Sequence, residues 1–461
     1  MEKRQVRSNK IKIFFIAAAI FFVQKIILPD LNYAQENKKL TFDLHTARQY
    51  AIQHSYDAQN SRLDIVAAKK KLREVTAGGL PQISGSVSFN DYLDIPTSLI
   101  PGEIFGGEPG STIAVRFGRQ YNATLGISAN QLIFSGSYFV GLQASKIFLT
   151  LMEQNLERSQ LDVEELVTQT YYLVLVTEEN LDILEENLQN LEKTHYEIQE
   201  LFKEGFVEET DVKQLQISVT QLKSTINTVK QQIDVTYKLL KFQMGIDLNR
   251  EIGLTENLNA IVSRVNIPSL RDREFILQDN INYRLLSTQL LLSKKNLLNE
   301  KMKFLPTISG FATYQRNAQR DQFNLFDPHE RWYPTTIVGL SLNIPIFTSG
   351  ARIYKMQQAR VDVRKAEVNL RKAEQGLQLQ YAQARTGLIS TFDNYKNSEA
   401  NMELAGDVYN VTLEKYREGV STSQELTQTH NQYLAAQSEY ITAKSELLNA
   451  KNKMDKLLES Y

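Results

Sequence analysis

The sequence predicts a mainly α-helical chain carrying a membrane β-barrel portion, with four strands set among long helices of antiparallel coiled coil. Three observations lead there. A helix–hairpin–helix–turn–helix unit is written twice. Heptad seams run through its helices. Four short segments alternate between apolar and small polar residues, three of them strictly. The 461 residues therefore divide by repetition: a leader over 1–34, a first repeat over 35–250 with its β-hairpin at 82–134, a linker over 251–269, and a second repeat over 270–461 with its hairpin at 307–347.

The leader has the build of a secretory signal. Lys3, Arg4, Arg7, Lys10 and Lys12 precede an apolar core over 13–23, too short for the roughly 20 residues of a membrane span. "NYAQ" puts cleavage after Ala34; a single N-terminal anchor helix is the other reading. There are no cysteines, which excludes disulfides, a thiol-linked lipid, thiolate metal ligands and a cysteine nucleophile. No later apolar run reaches the length of a transmembrane helix, so residence in a membrane has to come from strands. A net charge of −1 gives no basic field for nucleic acid.

Each unit is then read in order. Residues 42–77 form a helix that "AGGLP" (77–81) stops. A strand, a Gly/Pro-rich loop and a second strand ending "LIFSG" (132–136) follow. From 137 to 203 there is no proline and one glycine, so a helix there runs roughly 100 Å. Gly205 breaks it, and another helix runs from 208 to 244. The second unit repeats this with helices over 270–304, 351–418 and from 420 to the C-terminus, broken at Gly419. "LPQISG" at 80–85 matches "LPTISG" at 305–310, and "IFSG" at 133–136 matches "IFTSG" at 346–350. Two shorter helices end to end about equal one long one, which gives four columns of similar length.

The seams say how the columns pack. Leu181, Leu184, Leu188, Leu191, His195, Ile198 and Phe202 alternate at spacings of three and four, as do Val212, Leu215, Val219, Leu222, Ile226, Val229 and Ile233. That pattern is an antiparallel coiled-coil hairpin with Gly205 at its tip. In the second hairpin Leu426, Thr429, Tyr433, Ala436, Tyr440, Ala443, Leu447, Ala450 and Met454 keep the register with smaller and more polar residues. Closer packing with more polar contacts is expected there.

In the strands, Ile83, Gly85, Val87 and Phe89 interleave with Ser84, Ser86, Ser88 and Asn90. Segments 121–130 and 337–344 alternate likewise; in 308–315 Phe311 falls on the polar side. A half-buried soluble sheet has such a pattern too. Two features favour a barrel: the polar face is small, as a water-filled lumen requires, and hairpins fed by helices cannot hide their edges alone. Three chains of four strands make a twelve-stranded barrel. The loops 91–116 and 317–334 then face outside, with Tyr92, Trp332 and Tyr333 at the membrane interface as an aromatic girdle.

With its doubled units, its "LPQIS" and "LPTIS" strand starts, its "IFSG" and "IFTSG" strand ends and its two Gly-marked tips, the chain resembles the TolC-like outer-membrane efflux protein family. The resemblance runs over essentially the whole mature chain. It implies a homotrimer whose β-barrel lies in outer-membrane lipid and whose α-helical barrel tunnels through the periplasm. An intermediate ring falls near 245–269. A periplasmic adaptor (membrane fusion) protein and an inner-membrane pump of the RND or ABC type are the implied partners, with no cofactor. Drugs, small molecules or secreted polypeptides pass through, as in multidrug efflux or type I secretion, and no bond is made or broken: the protein is not an enzyme.

The resemblance also implies roles for the tips. Gly205, Phe206, Val207, Gly419 and Val420 are adaptor-facing turn residues. Tyr416, Asp211 and Thr210 belong to a latch between neighbouring hairpins in closed members; where the family can carry Arg, this chain has Ser421. Glu425 and Gln428 occupy the constriction, and the neutral Gln428 leaves one weaker carboxylate ring. From the residues themselves, Asp211 and Glu425 are repeat-related acids. Pore-lining that favours cations and capping of the helices that start there, as in "TSQE" (422–425), both remain open.

Other chemistry is not encoded. The five histidines lack metal-ligand spacing, and His195 on a seam is a packing residue. Glu178, Glu179, Glu185 and Glu186 read as a solvated or tunnel-lining face. Lys69, Lys70 and Lys71 read as a solvated face or one near lipid headgroups. No phosphate loop or nucleophile elbow occurs. The competing reading is a non-conducting exported coiled-coil protein, an adhesin stalk or periplasmic scaffold, which the alternating strands disfavour.

Overall fold

A computed structural model describes residues 40–325 and 327–459; the predicted signal peptide over 1–34 lies outside the described residues. The chain forms two compact units. The smaller comprises, among described residues, 40–41 with Asn249–Gly253, where Leu40 N donates to Glu251 O at 3.3 Å. Strand β1 (Leu40–Phe42) and strand β6 (Ile252–Leu254) form a two-stranded sheet. All else belongs to the larger unit.

The larger unit opens with α1 (Leu44–His54) and α2 (Tyr56–Ala77), not one continuous helix. Ser55 separates them by leaving helical geometry and capping α2 through Ala58 N, which a continuous apolar period hides. Strands β2 (Gln82–Asp91) and β5 (Tyr121–Phe134) follow. Between them the outer loop forms its own hairpin, β3 (Thr97–Pro101) with β4 (Thr112–Arg116). Then come α3 (Gly136–Lys203) and α4 (Glu209–Met244), and the short helices α5 (Leu258–Ser263) and α6 (Ile267–Arg271). Helix α7 (Ile281–Met302) starts later than the expected 270. Residues 272–280 leave the helix, Phe275 stacks on Tyr381 at 5.2 Å, and Asn280 caps the new start. Strands β7 (Thr307–Arg320) and β8 (Tyr333–Asn343), then α8 (Ala351–Arg417) and α9 (Ser423–Leu457), complete the chain.

The two hairpins are not isolated: β5 pairs with β7, so one antiparallel sheet runs β2-β5-β7-β8. Register puts Ile83 opposite Ala129 and Val87 opposite Leu125, and Gly310 opposite Leu340. Most of this apolar face is bare, with Val87 78% and Val338 77% exposed, while at its loop end Ala123 and Ala318 are buried. Ser84 and Ser128 hydroxyls meet on the other face at 2.8 Å. There too, the Phe311 ring occupies the space that a side chain at 339 would need. Among the described residues β2 and β8 are the outer strands of this sheet, each paired on one side only.

Helix order follows strand order: α2 packs on α3, α3 on α7, and α7 on α8. The shorter helices stack end to end. Gly245 closes α4 at φ +71, and a Cβ there would lie 2.1 Å from His54 O, so α4 abuts the α1–α2 junction. Ile281 N, at the start of α7, donates to Glu459 just beyond α9 at 2.5 Å.

The first seam buries Leu191, Ile198, Leu215, Val219, Leu222 and Ile226 with Tyr409, Tyr416 and Leu426 of the second hairpin. His195 is half-buried and Phe202 exposed, because Thr194 and Leu201 face inward in their place. Helix α9 also buries a second stripe, against α3. There Gln437 Oε1 accepts from Asn187 Nδ2 at 2.8 Å, and Lys444 Nζ meets Glu179 at 2.6 Å and Asn259 at 2.7 Å. Lys444 is 2% exposed and lies 4.2 Å from the Tyr440 ring centroid. Removing one member of a buried pair costs about 3–5 kcal/mol, whereas an apolar pair of similar volume is near neutral. Lys444→Ala is therefore expected to lower unfolding stability by about 3 kcal/mol, and Lys444→Met with Glu179→Leu to restore most of it. Urea unfolding followed by helix circular dichroism checks both.

Candidate functional site

The chemistry-bearing residues singled out above gather where α3 turns into α4 and α8 into α9. Both turns are Schellman motifs. Gly205 N donates to Phe202 O at 3.0 Å and Phe206 N to Leu201 O at 2.9 Å; Gly419 N donates to Tyr416 O at 3.0 Å and Val420 N to Lys415 O at 2.8 Å. The glycines sit at φ +83 and +75, which L side chains resist. The residue after such a glycine commonly packs back on its own helix, and Ile246, after Gly245, is buried. Phe206 and Val420 instead project outward, 76% and 74% exposed. Val207 packs against the first-hairpin core.

The acids at the tips are not equivalent. Asp211 Oδ2 accepts from Glu208 N at 3.1 Å, closing the start of α4, while its Oδ1 accepts from Ser423 Oγ on the other tip. Glu425 N donates to Thr422 Oγ1 at 3.2 Å, which caps α9, but the Glu425 carboxylate accepts from Ser421 Oγ at 2.7 Å instead of completing a capping box. Thr210 Oγ1 donates to Glu208 Oε2 at 3.1 Å. Thr210, Asp211, Ser423 and Gln428 line one groove of about 780 Å³ between α4 and α9; Glu425 stands outside it. Tyr416 is buried beneath, and its hydroxyl finds no hydrogen-bond partner among the described residues. Burial, with Asp211 nearby, pushes that hydroxyl's pKa up to about 12.

One turn further along, His430 is buried against Tyr409, with ring centroids 5.1 Å apart, and Tyr433 stacks on the same tyrosine at 5.9 Å. Desolvation pushes the His430 imidazole down to about 4. Sequence reading missed Ser423, His430 and the polar stripe. The signal was a second period on α9, through His430, Gln437, Ile441, Lys444 and Leu448.

At the other end of the unit lie the three aromatics expected to form the girdle. Tyr333, first in β8, is 62% exposed and Tyr92 lies just past β2. Trp332 instead packs on Ala123, Ala318 and Leu325. An unforeseen cluster joins Phe89, Tyr121 and Phe323, with ring centroids 5.6–6.1 Å apart.

Residues 47–245 and 296–459 match the sequence profile of the outer membrane efflux protein family. The chain belongs to that family. Outer membrane protein VceC of Vibrio cholerae is 14% identical, with a TM-score of 0.69 over 90% of this chain and 95% of VceC. The Campylobacter jejuni CmeC outer membrane channel is 18% identical, with a TM-score of 0.69 over 94% of each. The open-state MtrE outer membrane channel of Neisseria gonorrhoeae is 14% identical, with a TM-score of 0.69 over 90% and 88%. No curated protein matches in sequence. Family and fold together make this an outer-membrane efflux protein of the TolC-like class, which is a duct class and not an enzyme class.

His430 yields a pH prediction. Its folded pKa lies below the unfolded value of 6.5, so the unfolded chain binds the extra proton first and stability falls as pH drops from about 6.5 to 4. The loss approaches about 3 kcal/mol. His430→Phe should flatten that part of the profile, checked by thermal unfolding from pH 7 to pH 4.

Proposed function

We propose that three copies of this chain form an exit duct that passively conducts solutes across the periplasm and outer membrane. The observation that carries this is the four-stranded sheet: one largely bare apolar face, one mainly small polar face, and outer strands that, among the described residues, have no partner on one side. In lipid every backbone donor needs a partner, so such a sheet has to close on further copies. Twelve strands suffice for an aqueous lumen. A non-conducting stalk would leave the apolar face without a role.

In this reading the tips are the periplasmic mouth. Exposed Phe206 and Val420 offer an apolar ring to a periplasmic adaptor, which links the duct to an inner-membrane pump of RND or ABC type. Asp211, Thr210, Tyr416 and Ser421 govern the aperture, and Glu425 and Gln428 line it. The cargo is drugs, other small molecules or secreted polypeptides, which a wide duct need not recognise.

Planar-bilayer recording of the purified protein tests the duct. Trimers with stepwise conductance are expected; a monomer without conductance across pH and salt overturns the reading. Neutralising Asp211→Asn and Glu425→Gln should lower cation over anion selectivity measured from reversal potentials, and Glu425→Gln should account for most of the change because Asp211 is engaged by Ser423. Phe206→Ser with Val420→Ser should weaken adaptor binding about tenfold or more while conductance stays the same, as loss of exposed apolar anchors predicts.

A further inference from the structure

A second charged surface lies at the strand end of the helices. Within fifteen residues of the strand junctions, over 63–77, 136–150, 289–303 and 351–365, the chain carries fourteen Lys or Arg against four Asp or Glu. Around the tips, over 193–213 and 403–425, the balance reverses to five against eleven. With a net charge of only −1, charge is sorted along the helices.

Lys69, Lys70, Lys71 and Arg73 on α2 are exposed, as are Lys294 on α7 and Lys355 on α8. Successive helical residues lie about 100° apart, so the lysine triplet sweeps most of one helix's circumference and puts cations on either wall of the layer. Lys71 pairs with Glu74 at 2.9 Å. Among the described residues no ion pair or hydrogen bond reaches Lys69, Lys70, Arg73 or Lys355. Between these cations and the strands lies an exposed apolar belt: Phe304 and Leu305, with Ile346 93% and Phe347 85% exposed. Bare apolar strand face, apolar and aromatic belt, then cations: that sequence mirrors half a bilayer, from hydrocarbon through interface to charged headgroup.

We propose that this basic collar binds the anionic headgroups of phospholipids in the leaflet that faces the helices. The inference rests on the barrel reading of the strands. The belt and collar together fix the height of the chain in the bilayer. A cation within a Debye length of an anionic surface favours association by about fivefold.

The test uses the full chain in nanodiscs of equimolar phosphatidylglycerol and phosphatidylcholine. Lipid retained on the protein after detergent exchange is counted by mass spectrometry. Phosphatidylglycerol is expected to exceed phosphatidylcholine by about fivefold or more. The fourfold variant Lys69→Gln, Lys70→Gln, Lys71→Gln, Lys355→Gln should fall to near parity. A variant losing equal charge at the tips, Lys193→Gln, Lys203→Gln, Lys213→Gln, Lys415→Gln, should keep the preference. Parity in the unaltered protein, or an undiminished preference in the collar variant, overturns the proposal. Conductance in pure phosphatidylcholine separates the two readings: a protein that conducts there but shows no headgroup preference removes the collar alone, and one that conducts in no lipid removes the barrel as well.

Discussion

A β-sheet in hydrocarbon cannot leave an edge unpaired, because nothing there can replace a missing backbone hydrogen bond. The rest of the chain is arranged around that constraint. Strand order β2-β5-β7-β8 is continued by α2, α3, α7 and α8, so whatever closes the strands sets the neighbours of the helices. The α2 and α8 flanks keep exposed apolar side chains, among them Leu63, Val66, Val361 and Val368. Those residues have the same unfinished character as the strand edges. Under the proposed trimer one closure completes both, and the repeat makes each added neighbour equivalent to the one already present inside the chain.

The repeat, the seams and the alternating strands were legible because each is a periodic property of a short stretch. Val219 and Leu222 are inward for reasons that their own helix states. What stayed illegible is set by distant partners. The segment 272–280 reads as helix, yet Tyr381, 106 positions after Phe275, holds the unwound backbone: its ring stacks on Phe275 and its hydroxyl donates to Arg273 O at 2.6 Å. The loop hairpin of β3 and β4 lies in a stretch where Gly and Pro announce turns but not pairing. At the tips, the positions of glycines and acids could be read, whereas the bond from Ser423 to Asp211 needed the fold.

The two kinds of seam divide the labour. Leu, Val and Ile along α3 and α4 supply burial without direction. Between α3 and α9 the contacts are directional: Asn187 to Gln437, Lys444 to Glu179, and Lys456 to Asp162 and Glu165, the last two at 2.6 Å. A slide of one heptad would leave an apolar seam apolar but would strand each of these polar groups, at a cost of about 1–3 kcal/mol apiece. Register between the hairpins is therefore held by the polar stripe, and the height of one tip against the other follows from it.

Under the proposed duct, that register gives the mouth its character. Asp211 already has two jobs, as the acceptor that closes the start of α4 and as the acceptor for Ser423 across the gap between the tips. A carboxylate so engaged has little capacity left for passing ions, and moving one tip relative to the other has to break the Ser423 bond first. Among the described residues Glu425 is held only by Ser421, on its own tip, and in the proposed duct it keeps most of its capacity for a passing cation. Of the two alternatives that the sequence left for both acids, Asp211 takes part in the capping contact at the start of α4, and lining belongs to the proposed duct. In the proposed duct Asp211 is chiefly a structural tie between hairpins, and Glu425 is the acid left to shape the field at the opening.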